Sequence, residues 1–154
     1  MTWLREDLIY LAGIIDGEGC ITICREKKLR KHCLTIRYWC VVNVVNTNKV
    51  LMDWLHNTFA GKVRSRRPDC IPLNWKTPYQ WERVAQQAKE LCVEVLPYLK
   101  LKKAQAQILI TFADAMKKPF YRHYGVPKEE IEVRDRLCDT IQALNKKGRV
   151  IDAH

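Results

Sequence analysis

Glu18 stands between two glycines, Gly17 and Gly19, where a helical pattern gives way to a strand-like one. A carboxylate in such a place is a candidate ligand for a hard divalent cation, which prefers oxygen donors and keeps several waters. The residues ahead of it show how a second carboxylate could join it. Leu4, Leu8, Leu11 and Ile15 recur at helical spacing and predict a helix over residues 4–16. On another face of that helix Gly13 and Gly17 lie one turn apart. Each glycine inside a helix costs about 1 kcal/mol relative to alanine, so two on one face imply a packing reason. A stripe without side chains lets another helix backbone approach closely. If an identical helix packs there, two Glu18 carboxylates meet at the base of the interface, a place to hold divalent metal ions. Without the residues that follow, an amphipathic core helix capped by glycine is the simpler reading.

The elements that must position this carboxylate belong to a chain of 154 residues, 47% hydrophobic, with no long low-complexity tract. That length suits one domain with a single substantial core. The formal net charge is +10, doubled in a homodimer, and a field of that sign favours polyanions, nucleic acid before anionic membrane. No apolar run reaches the ~18–20 residues of a membrane span, and no basic-then-apolar signal segment opens the chain. The seven cysteines are odd in number and scattered, several at apolar-face positions, which suits reduced thiols in an intracellular, reducing compartment. Cys20, Cys24, His32 and Cys33 can be imagined as zinc ligands, but the chain has no CxxC pair and ordinary packing is the better reading.

After the first helix, residues 19–28 read as a strand, 29–32 as a basic turn and 33–45 as a second long strand. Leu34, Ile36, Tyr38, Cys40, Val42 and Val44 form its apolar face. The opposite face carries Thr35, Arg37, Trp39, Val41 and Asn43, and the matching face of the first strand carries Thr22, Cys24, Glu26 and Lys28. Such a hairpin fits the DNA major groove, where Arg and Lys recognise guanine, Asn adenine and Glu cytosine. It equally fits an ordinary solvated sheet face.

Asn46-Thr47-Asn48 supplies a turn and a helix cap, followed by an amphipathic helix with Val50, Leu51, Trp54, Leu55 and Phe59, ended by Ala60-Gly61. A third strand follows, with Arg64 and Arg66 on one face. After a loop from Pro68 to Pro72, residues 73–81 predict a fourth strand with Asn74 and Lys76 alternating, and with Trp75, Tyr79 and Trp81 packed below the sheet. Residues 82–95 predict a helix stopped by Pro97, and another helix reaches about Met116. A linker with Lys117, Lys118, Pro119, Phe120, Tyr121 and Tyr124 leads to a last helix opened by Pro127, with Ile131, Leu137, Ile141 and Leu144 as its stripe and Gly148 past its end.

The stretch Leu11-Ala12-Gly13-Ile14-Ile15-Asp16-Gly17-Glu18-Gly19 resembles the name motif of the LAGLIDADG homing endonucleases. Ile14 replaces its leucine, Gly17 its second alanine and Glu18 its second aspartate. A second point of resemblance is Pro97-Tyr98-Leu99-Lys100-Leu101-Lys102, similar to a proline-aromatic-leucine-lysine run followed by a basic residue in family members. The element order resembles the family's αββαββα core, so the resemblance spans about residues 4–116, strongly at the first motif and by pattern elsewhere. It implies an α+β saddle with an antiparallel DNA-binding sheet and additional C-terminal helices over about 117–148, all within a single domain of residues 1–154.

The single motif implies the homodimeric branch, with a dimer interface on Leu8, Ile9, Ala12, Gly13, Asp16 and Gly17. The implied activity is metal-dependent hydrolysis of double-stranded DNA at a long, near-palindromic site, as in intron-encoded homing enzymes. Glu18 and the Gly17 carbonyl would hold Mg²⁺, for which Mn²⁺ could substitute. Lys102 is the lysine implied near the scissile phosphate; on spacing alone it reads as a surface lysine at a helix start. Asn46 is the better match, and Asn43 the competing one, to a polar residue that arranges solvent. Candidate DNA contacts are Thr22, Cys24, Glu26, Lys28, Arg37, Trp39, Asn43, Arg64, Arg66, Asn74 and Lys76. An intron RNA maturase or a non-catalytic DNA-binding protein on the same scaffold is the alternative, and the carboxylate at position 18 favours the nuclease.

Overall fold

A computed structural model describes residues 2–31, 33–66, 72–116 and 126–146. The elements run α1 (Arg5–Gly17), β1 (Gly19–Arg30), β2 (Cys33–Asn46), α2 (Lys49–Phe59), β3 (Lys62–Ser65), β4 (Tyr79–Val84), α3 (Ala85–Val95), α4 (Lys103–Ala115) and α5 (Lys128–Asn145). The strands form one antiparallel sheet in the order β1-β2-β4-β3. The α+β class and the αββαββα order expected from the sequence are those of the structure.

One face of the sheet is covered by helices. Leu8, Leu11, Ala12 and Ile15 of α1 face Ile21 and Ile23 of β1, Tyr38, Cys40, Val42 and Val44 of β2, and Trp81 of β4, all buried in one cluster. The alternation of β2 sends its apolar residues inward and leaves Arg37, Trp39 and Asn43 on the open face. Helix α2 begins at an Asn48 cap whose side chain accepts from the amides of Val50 and Leu51. It buries Met52, Leu55 and Phe59, whereas Val50, expected on the apolar stripe, is 78% exposed in the first turn.

The fourth strand differs from the sequence expectation. Residues 72–78 form turns and irregular backbone, Trp75 is exposed rather than packed below the sheet, and the strand occupies Tyr79–Val84, where a helix was expected to begin. Trp81 and Arg83 point inward and donate to the carbonyls of Ala60 and Phe59. An arginine on a core-facing position hides the two-residue period. Val84 also continues the apolar spacing of α3 backward, although Ala85 breaks the helix with a φ of 53°.

Helix α5 closes the exposed edge of β1. Asn145 donates to the Ile21 carbonyl (2.8 Å), and Gln142 and Cys138 donate to that of Ile23. An edge strand otherwise presents unpaired carbonyls to other chains. Its stripe is Arg134, Cys138 and Ile141; Leu144, expected there, is half exposed. The described cysteines are all free thiols, and burial pushes those of Cys40 and Cys92 up to about 12. The sequence features at His32, Cys33, Leu34, Pro68, Lys117, Lys118, Pro119, Phe120, Tyr121, Tyr124 and Gly148 fall on side chains outside the described residues.

Asp135 fastens α5 to the sheet by accepting from Tyr38 Oη and Arg25 Nη1, each at 2.7 Å. Burial pushes its carboxyl up, but the Tyr38 hydroxyl and the Arg25 guanidinium outweigh that and hold it below the usual carboxylate range. The ionised contact therefore stabilises the fold above the unfolded-state value near ~3.9 and is lost as pH falls through the lower folded value. Asp135→Asn is expected to lower stability by about 1–2 kcal/mol at neutral pH. The deficit should shrink as urea unfolding is repeated below about pH 4; a deficit that persists unchanged there would contradict the assignment.

Candidate active site and nucleic-acid interface

The carboxyl end of α1 is built by one lysine. Lys102 Nζ donates to the carbonyls of Ile15 (2.6 Å), Asp16 (3.0 Å) and Gly19 (2.7 Å). A helix leaves its last carbonyls without intrahelical partners and its C-terminus partly negative, so a cation there satisfies both needs. The Asp16 carboxylate returns the contact, accepting from the amides of Lys100 (2.7 Å) and Lys102 (3.0 Å). Asp16, expected at the dimer interface, thus binds the segment ahead of α4 within its own chain. Lys102 is placed on the helix end, beneath the turn that carries Glu18.

Beyond Gly17 the chain turns through Glu18 into β1. Gly19 is required there by close approach: a Cβ would lie 2.7 Å from Ile15 Cα and 3.2 Å from the Asn43 carbonyl oxygen. Glu18 is exposed, and its Oε2 accepts from Asn46 Nδ2 at 2.5 Å. Asn46 Oδ1 in turn accepts from the Asn48 amide at 2.8 Å, which fixes the orientation of the amide group. The structure therefore brings Glu18, Gly17 and Asn46 together, while Asn43 lies on the open sheet face opposite Cys20 and Glu82.

Gly13 and Gly17 behave differently from Gly19. A Cβ on either would meet nothing within 4 Å, so nothing among the described residues explains their missing side chains. They line an open groove with Ile9, Tyr10, Ile14, Glu18, Asn46 and Leu51, about 520 Å³ in volume. Ile9 (48%) and Tyr10 (57%) are large apolar residues left exposed beside it. Leu8 and Ala12, expected on this face, are instead buried in the core, because with Leu11 and Ile15 they complete the stripe facing the sheet.

On the open sheet face, pairing sets Thr22 opposite Val41, Cys24 opposite Trp39, Glu26 opposite Arg37 and Lys28 opposite Thr35. The Arg37 guanidinium lies over the Trp39 ring, 5.7 Å from its centre. Arg64 is on β3 as expected, and Arg66 follows just past its end. Asn74 and Lys76 are exposed but lie in the 72–78 segment rather than on a strand. Sequence reasoning missed Lys62, Gln80 and Glu82, which the register adds to this face. The signal that could have found them is the inward pair Trp81 and Arg83, which forces Gln80 and Glu82 outward.

No protein-family model and no curated protein matches the chain. Solved structures do. The chain is similar to the homing endonuclease I-CvuI, solved in complex with DNA, at TM-score 0.72 and 20% identity, over 95% of this chain and 85% of that one. It is similar to the archaeal intron-encoded homing endonuclease I-Vdi141I, complexed with DNA, at TM-score 0.69 and 13% identity, over 94% and 87%. It is also similar to the LAGLIDADG homing endonuclease I-SmaMI, bound to cleaved DNA, at TM-score 0.66 and 12% identity, over 95% of this chain but 47% of that one. The chain has the LAGLIDADG homing-endonuclease fold.

Gly19→Ala is expected to destabilise the protein by about 1–3 kcal/mol, since the atoms it meets are backbone and cannot yield. The urea midpoint reads this directly, and an unchanged midpoint would refute the close approach.

Proposed function

We propose that the protein is a site-specific double-stranded DNA endonuclease that works as a homodimer. The observation carrying this reading is the pairing of two features: a side-chain-free face of α1 that nothing among the described residues fills, and, at its end, an exposed carboxylate held by Asn46. A second copy on the Gly13/Gly17 face brings two such carboxylates together. The match to about half of I-SmaMI supports a protomer that is half of the working unit. The net charge of +10 and an open sheet face with Lys28, Arg37, Lys62 and Arg64 suit a duplex.

The donor set fits a hard cation. Glu18 supplies carboxylate oxygen and Gly17 a carbonyl, both hard oxygen donors. These residues from both protomers would hold Mg²⁺, with Mn²⁺ as a substitute. When bound, such an ion supplies charge stabilisation and an activated water. The chain's own residues set the stage: Asn46 orients the Glu18 carboxylate, and Lys102 with Asp16 holds the turn that presents it. Lys102 serves on this reading as a positioning residue.

Glu18→Gln keeps the shape and removes the charge. Metal stabilisation is worth several kcal/mol, so DNA cleavage in Mg²⁺ is expected to fall at least about a hundredfold, with duplex affinity in Ca²⁺ little changed. Full cleavage by the variant would remove Glu18 from the chemistry. A wild-type protein that binds a defined duplex but never cuts it would be a DNA-binding protein on the same scaffold.

A further inference from the structure

Glu82, like Glu26, is an acid on a face whose cations Lys28, Arg37, Lys62 and Arg64 suit a polyanion. Trp81 and Arg83 turn inward, so Gln80 and Glu82 face outward, with Glu82 between Asn43 and Lys62 and Gln80 between Val45 and Arg64. The Glu82 side chain is 12% exposed, and both of its oxygens are occupied. Oε1 accepts from Arg64 Nη2, and Oε2 accepts from Gln80 Nε2 at 3.1 Å. A carboxylate with both oxygens engaged does not read bases itself; it fixes its neighbours.

What it leaves them to offer follows from their chemistry. Arginine carries five donors in a planar fork, and Arg64, 63% exposed, has others besides the one given to Glu82. An ionised carboxylate only accepts, so Gln80 must turn its NH₂ toward Glu82, leaving Oε1 as an outward acceptor. Arg64 and Gln80 are direct cross-strand partners, with Cβ atoms about 5 Å apart. In the major groove a G·C pair presents two acceptors on guanine beside one amino donor on cytosine. A donor fork beside an acceptor complements that pattern and no A·T pattern equally well.

We propose that Arg64, Glu82 and Gln80 act as one unit reading a single G·C pair in each half-site. Arg64 donates to guanine, Gln80 Oε1 accepts from the cytosine amino group, and Glu82 is the positioning residue. This rests on the DNA-binding reading above and assigns one of its specificity elements.

The test is selection of bound duplexes from a randomised library in Ca²⁺ by the full-length wild type, Glu82→Gln, Arg64→Lys and the double variant. The wild type should require G·C at one position per half-site. Glu82→Gln should lower that preference about tenfold or more while other positions keep theirs. Arg64→Lys, an exposed edge change that keeps the charge beside Glu82 but removes the planar donor fork, should do the same. The double variant should be no worse than the worse single one. The salt dependence of binding should keep its slope in Glu82→Gln; a uniform loss across all positions, or an unchanged profile in either single variant, would overturn the proposal. A wild type that selects no consensus would instead remove the DNA-reading function and this unit with it.

Discussion

The ammonium of Lys102 on the last carbonyls of α1 is the contact on which the rest of the site depends. It joins a residue ahead of α4 to the end of α1 and the start of β1. Charged hydrogen bonds of this kind contribute about 1.5–3 kcal/mol each when well formed. With Asp16 gripping the same segment, the turn Gly17-Glu18-Gly19 has little freedom, and Gly19 can lie against the backbone of Ile15 and Asn43. The Glu18 carboxylate is then left pointing outward, where the last residue of β2, Asn46, meets it. Rigid elements converge on this acid from three directions, the condition under which a carboxylate can be preorganised.

The two faces of the molecule divide the labour. The helical side buries the apolar alternation of β1, β2 and β4, while the opposite side keeps cations at positions set by the strand register. Charge alone would give attraction without discrimination, because phosphates carry no sequence. Discrimination requires donors and acceptors held in fixed relation, and Glu82 holds Arg64 and Gln80 in such a relation. An acid within a basic face lowers the net attraction slightly and gains orientation in return.

Much of this was legible in the sequence. The apolar period of α1, the glycine pair, the alternation of β2 and the cap at Asn48 each have a direct local cause, and the structure places those elements within a residue or two of expectation. The resemblance of residues 11–19 to one family foresaw the fold that the solved structures share. The failures have causes too. Leu8 and Ala12, expected at the dimer interface, are buried within the protomer, because with Leu11 and Ile15 they face the sheet. The fourth strand was displaced because Arg83 occupies an inward position and because no glycine marks the break at Ala85. That displacement concealed Glu82, so the polar unit on β4 became visible only through the register. The role of Lys102 at the end of α1 depends on a contact across more than eighty positions in the chain, which no local pattern encodes.

The central claim is that the Gly13/Gly17 face receives a second copy of the chain. Sedimentation equilibrium of the wild type and of Gly13→Leu tests it most directly, with circular dichroism to verify that both are folded. A Cβ there meets nothing within 4 Å among the described residues, and a leucine projecting into the open groove would block a close helix approach. The account predicts twice the 18.1 kDa chain mass for the wild type and a single chain mass for the variant. A wild type that sediments as one chain, or a Gly13→Leu variant that still pairs, would contradict it.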